Sequence, residues 1–318
     1  MNKKIKKTLF LLLPVFLGIF LIWIYISKFT QAQIDEIVYN IKHANYYWIF
    51  LSLFFGILSH LSRAYRWNFM LEPLGYKPKF ANSVMAVLIA YLLNLVIPRS
   101  GEVARAATMT KYEDIPFEKA FGTIVAERIS DIIMLLLILA IVFFYQTDLI
   151  LSYFSNTNPS RKIIILSIAI ALFYIVYKAI KKSDHTFFIK IRKFLNGLIE
   201  GISSIFKMKK KWAFIFHTLF IWAMYIAMFW AVTFTIPATS HLSFEAILVG
   251  FIAGAIAMSI TNGGFGAYPV FVASALSLYG VPQEAGASFG LLMWISQTIM
   301  VLVFGGLSFI LLPVYNKK

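Results

Sequence analysis

The sequence predicts an all-α fold, a polytopic integral membrane helical bundle, and three observations carry that expectation. Of 318 residues, 60% are apolar and only 14% charged, too little polar surface to clothe a soluble domain of this length. Apolar runs able to cross about 30 Å of hydrocarbon recur at 8–27, 47–62, 118–145, 162–180, 212–236 and 286–312. The basic residues behind the formal charge of +15 cluster beside those runs rather than along one soluble face. They read as topology signals and anionic-lipid contacts, not as a nucleic-acid footprint.

The chain opens MNKKIKK and continues apolar from Thr8 to about Ile26, longer than the apolar stretch of a secretory signal. Phe29-Thr30-Gln31-Ala32 is a poor cleavage site, so an uncleaved first span is expected. Trp23, Trp48, Trp67 and Trp212 fall near the ends of apolar runs, as interfacial belts require. There is no Cys, which excludes disulfides and thiolate metal sites, and the 5 His show no ligand spacing. Neither a metal nor a cofactor is expected.

Charge fixes the expected topology. The KKIKK start, the stretch from Lys178 to Lys211 and the Lys317-Lys318 end should all be cytoplasmic, in an inner (cytoplasmic) membrane. If the first two spans go out and back, Arg63, Arg66, Lys77 and Lys79 are inside as well. The spans at 118–145 and 162–180 form another such pair, which leaves 99–117 inside. Residues 80–98 therefore enter from the cytoplasm and return, as a re-entrant or broken helix. The run at 212–236 leaves the cytoplasm and the last span re-enters it, so 245–280 begins and ends outside. Because Ala267–Tyr279 is short for a crossing, a second re-entrant element is expected, with two thin crossings as the alternative. Residues 181–211 set Phe187, Phe188, Ile191, Phe194, Leu195 and Leu198 against Lys190, Arg192 and Lys193, a basic amphipathic segment suited to the anionic inner leaflet.

The chain reads as a single transmembrane domain over 1–318 containing an inverted repeat, with units at 80–145 and 245–312. Pro116, Glu118, Ile129-Ser130 and Ile133-Met134 recur 166 positions later as Pro282, Glu284, Ile295-Ser296 and Ile299-Met300. Charge counting puts the two copies on opposite faces; chance similarity of two apolar helices is the plainer alternative.

Ionisable groups at membrane depth cost about 2.5–3.5 kcal/mol each on insertion scales and ask for a partner or a purpose. One cluster, Arg99, Glu102 and Arg105, follows the Pro98 break. If Ser100 caps a short helix, Glu102 and Arg105 share a face. A second, Glu127, Arg128 and Asp131, lies inside a long apolar helix at spacings that permit internal pairing. The plain readings are a cytoplasmic anchor for the first cluster and an ion-pair lock for the second. The functional reading is an anionic headgroup site, with bidentate arginines and free N–H groups at a helix start. The break Asn262-Gly263-Gly264-Phe265-Gly266 lacks the Lys and Ser/Thr of a nucleotide loop and suits unwinding at membrane depth, with Gly263, Gly264 and Gly266 as candidate backbone contacts. His60 and His217 read as satisfied core or interface groups.

The run Pro98-Arg99-Ser100-Gly101-Glu102-Val103-Ala104-Arg105, then Glu127-Arg128 and Asp131, then Gly263-Gly264-Phe265-Gly266, resembles the lysylphosphatidylglycerol synthase transmembrane-region family, which includes the flippase portion of the multiple-peptide-resistance factor. The resemblance covers nearly the whole chain. It implies a multi-span bundle that translocates a lipid or a polyprenyl-phosphate-linked substrate. Two positions depart from the family's pattern. Ala267-Tyr268-Pro269 follows the glycine turn where a Glu is frequent, and Trp294 to Gln297 stands where the last span often carries an Arg. No aminoacyl-transfer domain follows Lys318, so lysyl transfer from tRNA is not expected.

The expected function is thus a flippase or carrier for an anionic lipid, with membrane lipids as partners, no nucleic acid and no catalytic residue. The alternatives are a non-catalytic subunit or scaffold of envelope lipid or glycan synthesis, with an envelope-biosynthesis partner or self-association, and an intramembrane lipid-modifying enzyme.

Overall fold

The computed structural model describes residues 22–97, 99–145 and 208–317, with isolated positions 16, 18, 20, 178 and 189. The start of the first span, Pro98, the span expected at 162–180 and most of the basic segment at 181–211 lie outside the described residues. Everything described is helix, turn or loop, with no strand among the described residues. Contacts divide the chain into two compact units. One joins the residues up to Val125 with Trp212–Lys318, and the other is Ala126–Lys211.

In the first unit, residues 22–26 are helical. α1 (Gln31–Lys42) starts at a capping box in which Thr30 and Gln33 satisfy each other's backbone. Asn45 caps α2 (Tyr46–Leu71) through the Tyr47 N–H. α3 (Phe80–Val96) and α4 (Ser100–Glu113) follow, then α5 (Phe117–Tyr145), which passes into the second unit at Ala126. After α6 (Lys211–Thr233) come α7 (Phe244–Ile260), α8 (Ala267–Ser277) and α9 (Gln283–Tyr315). Four of these, α2, α5, α6 and α9, are long and apolar enough to cross a membrane.

α3 and α4 fold back on each other as hairpin A. The residue before a proline is driven out of the helical region, and Ile97 is extended at φ −126°, ψ 119°. Arg99 then turns the chain in the left-handed conformation at φ 59°. Ser100 does not cap α4. Its hydroxyl donates backward to the carbonyls of Ile97 at 2.8 Å and Leu93 at 3.1 Å, because α3 lies against it, and Arg99 occupies the cap position. The Gly101 N–H donates to Asn94 Oδ1 at 2.8 Å, and a side chain at Gly101 would strike the Ala90 carbonyl. At the open end, the Lys79 N–H donates to Glu113 Oε1 at 3.1 Å. Both ends of the hairpin thus lie together.

Hairpin B, α7 and α8, repeats this shape. Between its arms Gly263, Gly264 and Gly266 have φ of 58°, 78° and 75°, values that glycine alone adopts without strain. The arms run back past each other, with Gly254 against the Tyr268 ring and Gly250 against Leu276.

α9 organises both hairpins. Its 33 residues reach about 50 Å at 1.5 Å per residue. Along it, Gly286 meets Ala273, Gly290 meets Pro269, and Trp294 Nε1 donates to the Gly263 carbonyl at 2.7 Å. Farther on, Gly305 meets Leu88 and Leu92, and Asn316 meets Asn82. Hairpin B therefore approaches from the start of α9 and hairpin A from its end, and their tips touch where Leu95 packs on Gly263.

The starts of α2, α3, α4 and α5 at 46, 80, 100 and 117 return in α6, α7, α8 and α9 at 211, 244, 267 and 283, offsets of 164 to 167. α2 and α6 are antiparallel. The Asn45 N–H donates to the Thr235 carbonyl at one end, and Arg66 meets Thr218 at the other. Small residues allow their close approach, with the Ser52 hydroxyl bonded to the Met228 carbonyl at 3.0 Å and Gly56 against the Met228 thioether.

Candidate functional site

Hairpin A carries the first charged cluster, and the fold distributes it. Arg99 is exposed at the tip, beside the point where Leu95 meets Gly263. Glu102 is half-buried one turn into α4. Arg105 is buried, its guanidinium stacked 3.8 Å from the Trp67 ring. Arg99 and Arg105 thus occupy different surroundings rather than one surface.

Gly263, Gly264 and Gly266 come together at the opposing tip, as a set. Gly263 faces Leu95 and bonds Trp294, Gly264 is buried beside Tyr268 and Trp294, and Gly266 lies against the backbone of Gly18. Each helix of a hairpin starts or stops at the tip. The N-terminal ends of α4 and α8 therefore converge at the junction, and with them the positive ends of two helix dipoles.

A buried basic seam lies behind hairpin A, and sequence reasoning missed it. The charge count sets Arg63 and Arg66 on the cytoplasmic side of a span ending at 62. Instead α2 continues to Leu71 and buries both. Arg66 Nη1 donates to Thr218 Oγ1 at 2.8 Å, with its guanidinium 5.3 Å from the Phe214 ring. Arg63 Nη2 donates to the Tyr225 hydroxyl at 3.3 Å, which shares a hydrogen bond with the Tyr91 hydroxyl at 3.0 Å. Trp67, under Arg105, donates Nε1–H to Thr123 Oγ1 at 2.8 Å. Hydroxyl acceptors and an aromatic face on α6 meet these charges, which helps offset a desolvation cost otherwise large. The signal in the sequence was the spacing of Ser59, Arg63 and Arg66, which keeps them on the small-residue face of α2.

His217 is satisfied as expected, its Nδ1 lying 2.8 Å from Ser62 Oγ. His60 is not. Its ring lies tilted against that of Tyr91 with centroids 4.4 Å apart, while its buried Nδ1 has no hydrogen-bond partner among the described residues. It lines an apolar crevice of about 30 Å³ between α2, α3 and α9, beside Leu88 and Met300.

In the second unit, Arg128 Nη1 and Asp131 Oδ2 are 3.4 Å apart, one helical turn along α5. Glu127 is buried, and the Ser130 hydroxyl donates to the Ala126 carbonyl at 3.2 Å. No cluster of His, Asp or Glu with metal-ligating geometry occurs among the described residues.

Four long apolar helices and two opposed helical hairpins define a multi-pass α-helical membrane protein. The chain belongs to the lysylphosphatidylglycerol synthase transmembrane-region family, whose sequence model matches residues 11–305. It is similar to the UPF0104 membrane protein MJ1595 of Methanocaldococcus jannaschii, 26% identical over 98% of this chain and 97% of that one. It is also similar to the UPF0104 membrane protein PH1989 of Pyrococcus horikoshii, 26% identical over 44% of this chain and 41% of that one. No solved structure matches the chain.

Proposed function

We propose that this protein binds an anionic lipid headgroup, on a phospholipid or a polyprenyl-phosphate-linked lipid, and carries it across the cytoplasmic membrane at the junction of the two hairpin tips. The single observation behind this reading is the contact of Leu95 with Gly263, where hairpins entering from opposite ends of α9 meet. A helix break, two helix N-termini and the exposed Arg99 meeting near the middle of a membrane would be an arrangement suited to an anion. Arg99 grips a phosphate through its planar fork, and the positive end of the α4 dipole shares the charge.

The orientation follows from lysine placement. Lys77, Lys79, Lys111, Lys119 and Lys317 gather at the end of α9, where Lys79 lies over the Tyr315 ring and Lys119 over Tyr76. The other end of the unit carries Lys28 and Lys42 among its described residues. The lysine-rich end, with the C-terminus, faces the cytoplasm. Movement is downhill or ion-coupled.

The test is translocation in proteoliposomes. The wild-type protein should accelerate inward movement of fluorescent phosphatidylglycerol and leave phosphatidylcholine at the protein-free rate. Equal rates with and without protein for every anionic lipid tried would refute the reading and favour a scaffold. Chemical conversion of the lipid in detergent would favour an enzyme.

A further inference from the structure

We infer that Asn262 is a second side-chain contact for the anionic headgroup, its amide N–H donating to a phosphoryl oxygen where the two hairpin tips meet. This rests on the proposed function and names a further residue of the same site.

Asn262 opens the glycine turn of hairpin B. Its side chain is half-buried, and its Nδ2 atom is covered by protein yet makes no hydrogen bond among the described residues. The amide nitrogen of an asparagine carries two N–H donors and accepts nothing. A buried donor left without an acceptor is a net cost to the fold, and native structures carry few of them without a reason.

The turn itself does not supply the acceptor. The Asn262 carbonyl is engaged by the Phe265 N–H at 3.2 Å, and the Gly263 carbonyl by the Trp294 indole at 2.7 Å. The side chains packed on Gly263 and Gly264 include Leu95, Met258 and Trp294, none of which carries an oxygen. The tip of hairpin A also holds an asparagine, and there the side chain serves its own hairpin. Asn94 Oδ1 accepts the Gly101 N–H at 2.8 Å and so ties α3 to α4. Asn262 makes no such tie through its amide nitrogen.

Position gives that donor its meaning. Leu95 of hairpin A packs on Gly263, the residue after Asn262, so the amide lies beside the meeting of the tips. Arg99, exposed at the same tip of hairpin A, is also a donor only. A phosphate presents several acceptor oxygens and can take a guanidinium and an amide together. The ligand chemistry that completes Asn262 is therefore the one that suits Arg99.

The test reads the shift in melting temperature of purified protein in detergent, with phosphatidylglycerol, phosphatidylcholine and inorganic phosphate as separate arms. Wild type should rise with phosphatidylglycerol alone. A rise with inorganic phosphate as large as that with phosphatidylglycerol would make the ligand a free anion and overturn the assignment to a headgroup. Asn262→Leu keeps a similar size without the amide, and its affinity for phosphatidylglycerol should fall about tenfold, the loss of one hydrogen bond to a charged group. Asn262→Asp replaces the donor with a second anion and should lose the rise altogether. Each shift is taken from that variant's own lipid-free melt, so a variant that is merely less stable keeps the wild-type rise. A rise of wild-type size in either variant would overturn the inference and leave the headgroup reading intact. No rise in the wild type with any anionic lipid would overturn both.

Discussion

Asn82 and Asn316 lie at opposite ends of the repeat region and exchange amide hydrogen bonds. Asn82 Nδ2 donates to Asn316 Oδ1 at 3.0 Å, and Asn316 Nδ2 returns a bond to Asn82 Oδ1 at 2.8 Å. Asn82 is fully buried, so each partner is the other's substitute for water. Removing one takes the donor from the other's amide oxygen, a penalty of about 1–3 kcal/mol where that oxygen is buried. Asn316→Leu should therefore lower the melting temperature in detergent, and Asn82→Leu should lower it further, since Asn82 also donates to Glu113. The double variant should lose less than the sum, and strictly additive shifts would exclude coupling.

Two glycines separate steric need from helix propensity. Gly101→Ala drives a methyl into the Ala90 carbonyl, whereas Gly122 on α5 has open space around it. Gly101→Ala should destabilise by about 1–3 kcal/mol through overpacking. Gly122→Ala should stabilise by about 0.4–1 kcal/mol by reducing the freedom of the unfolded chain. Equal effects in thermal melts would contradict the close approach of α3 and α4.

Arg99 holds a left-handed conformation at φ 59°, an uncommon one for a residue with a side chain. Arg99→Gly should relieve about 1 kcal/mol of backbone strain and raise the melting temperature. If the guanidinium contacts the headgroup, the same variant should slow anionic lipid movement at least tenfold. Arg99→Lys retains the charge but loses the fork, and should weaken binding by about 1–2 kcal/mol. Unimpaired movement in both variants would remove Arg99 from the site.

Orientation is open to direct labelling. Lys77 and His241 are exposed at opposite ends of the first unit. With an impermeant thiol reagent, Lys77→Cys should react in inverted vesicles and His241→Cys in intact cells. Labelling of both from one side would overturn the opposed-hairpin topology.

The Arg128–Asp131 pair should contribute modestly, because the arginine side chain is 41% exposed and the aspartate 12%. A double-mutant cycle with Arg128→Leu and Asp131→Leu should give a coupling of about 0.3–1 kcal/mol. Zero coupling would mean that the geometry carries no energy.

The sequence by itself determined that the protein is helical and embedded in lipid, where the apolar runs break, and which glycines turn the chain. These are local or compositional properties. A run of apolar residues has one low-energy state in hydrocarbon, Pro98 forces Ile97 out of the helix, and only glycine accommodates φ near +60° to +80° three times in four residues. Pro116 and Pro282 stand 166 positions apart, within the 164 to 167 offsets of the helix starts. Tertiary structure decided what each charge does. Positive-inside counting sets Arg63 and Arg66 on the cytoplasmic side because it treats any arginine after an apolar run as wet, whereas partners more than 150 residues away in sequence, Thr218 and Tyr225 among them, help make their burial tolerable. Arg99 and Arg105 are close in sequence, but the fold leaves Arg99 exposed and stacks Arg105 on Trp67. The meeting of Leu95 with Gly263 depends on α9 being long enough to seat both hairpins, and pairing over such separations is set by packing that no local pattern encodes.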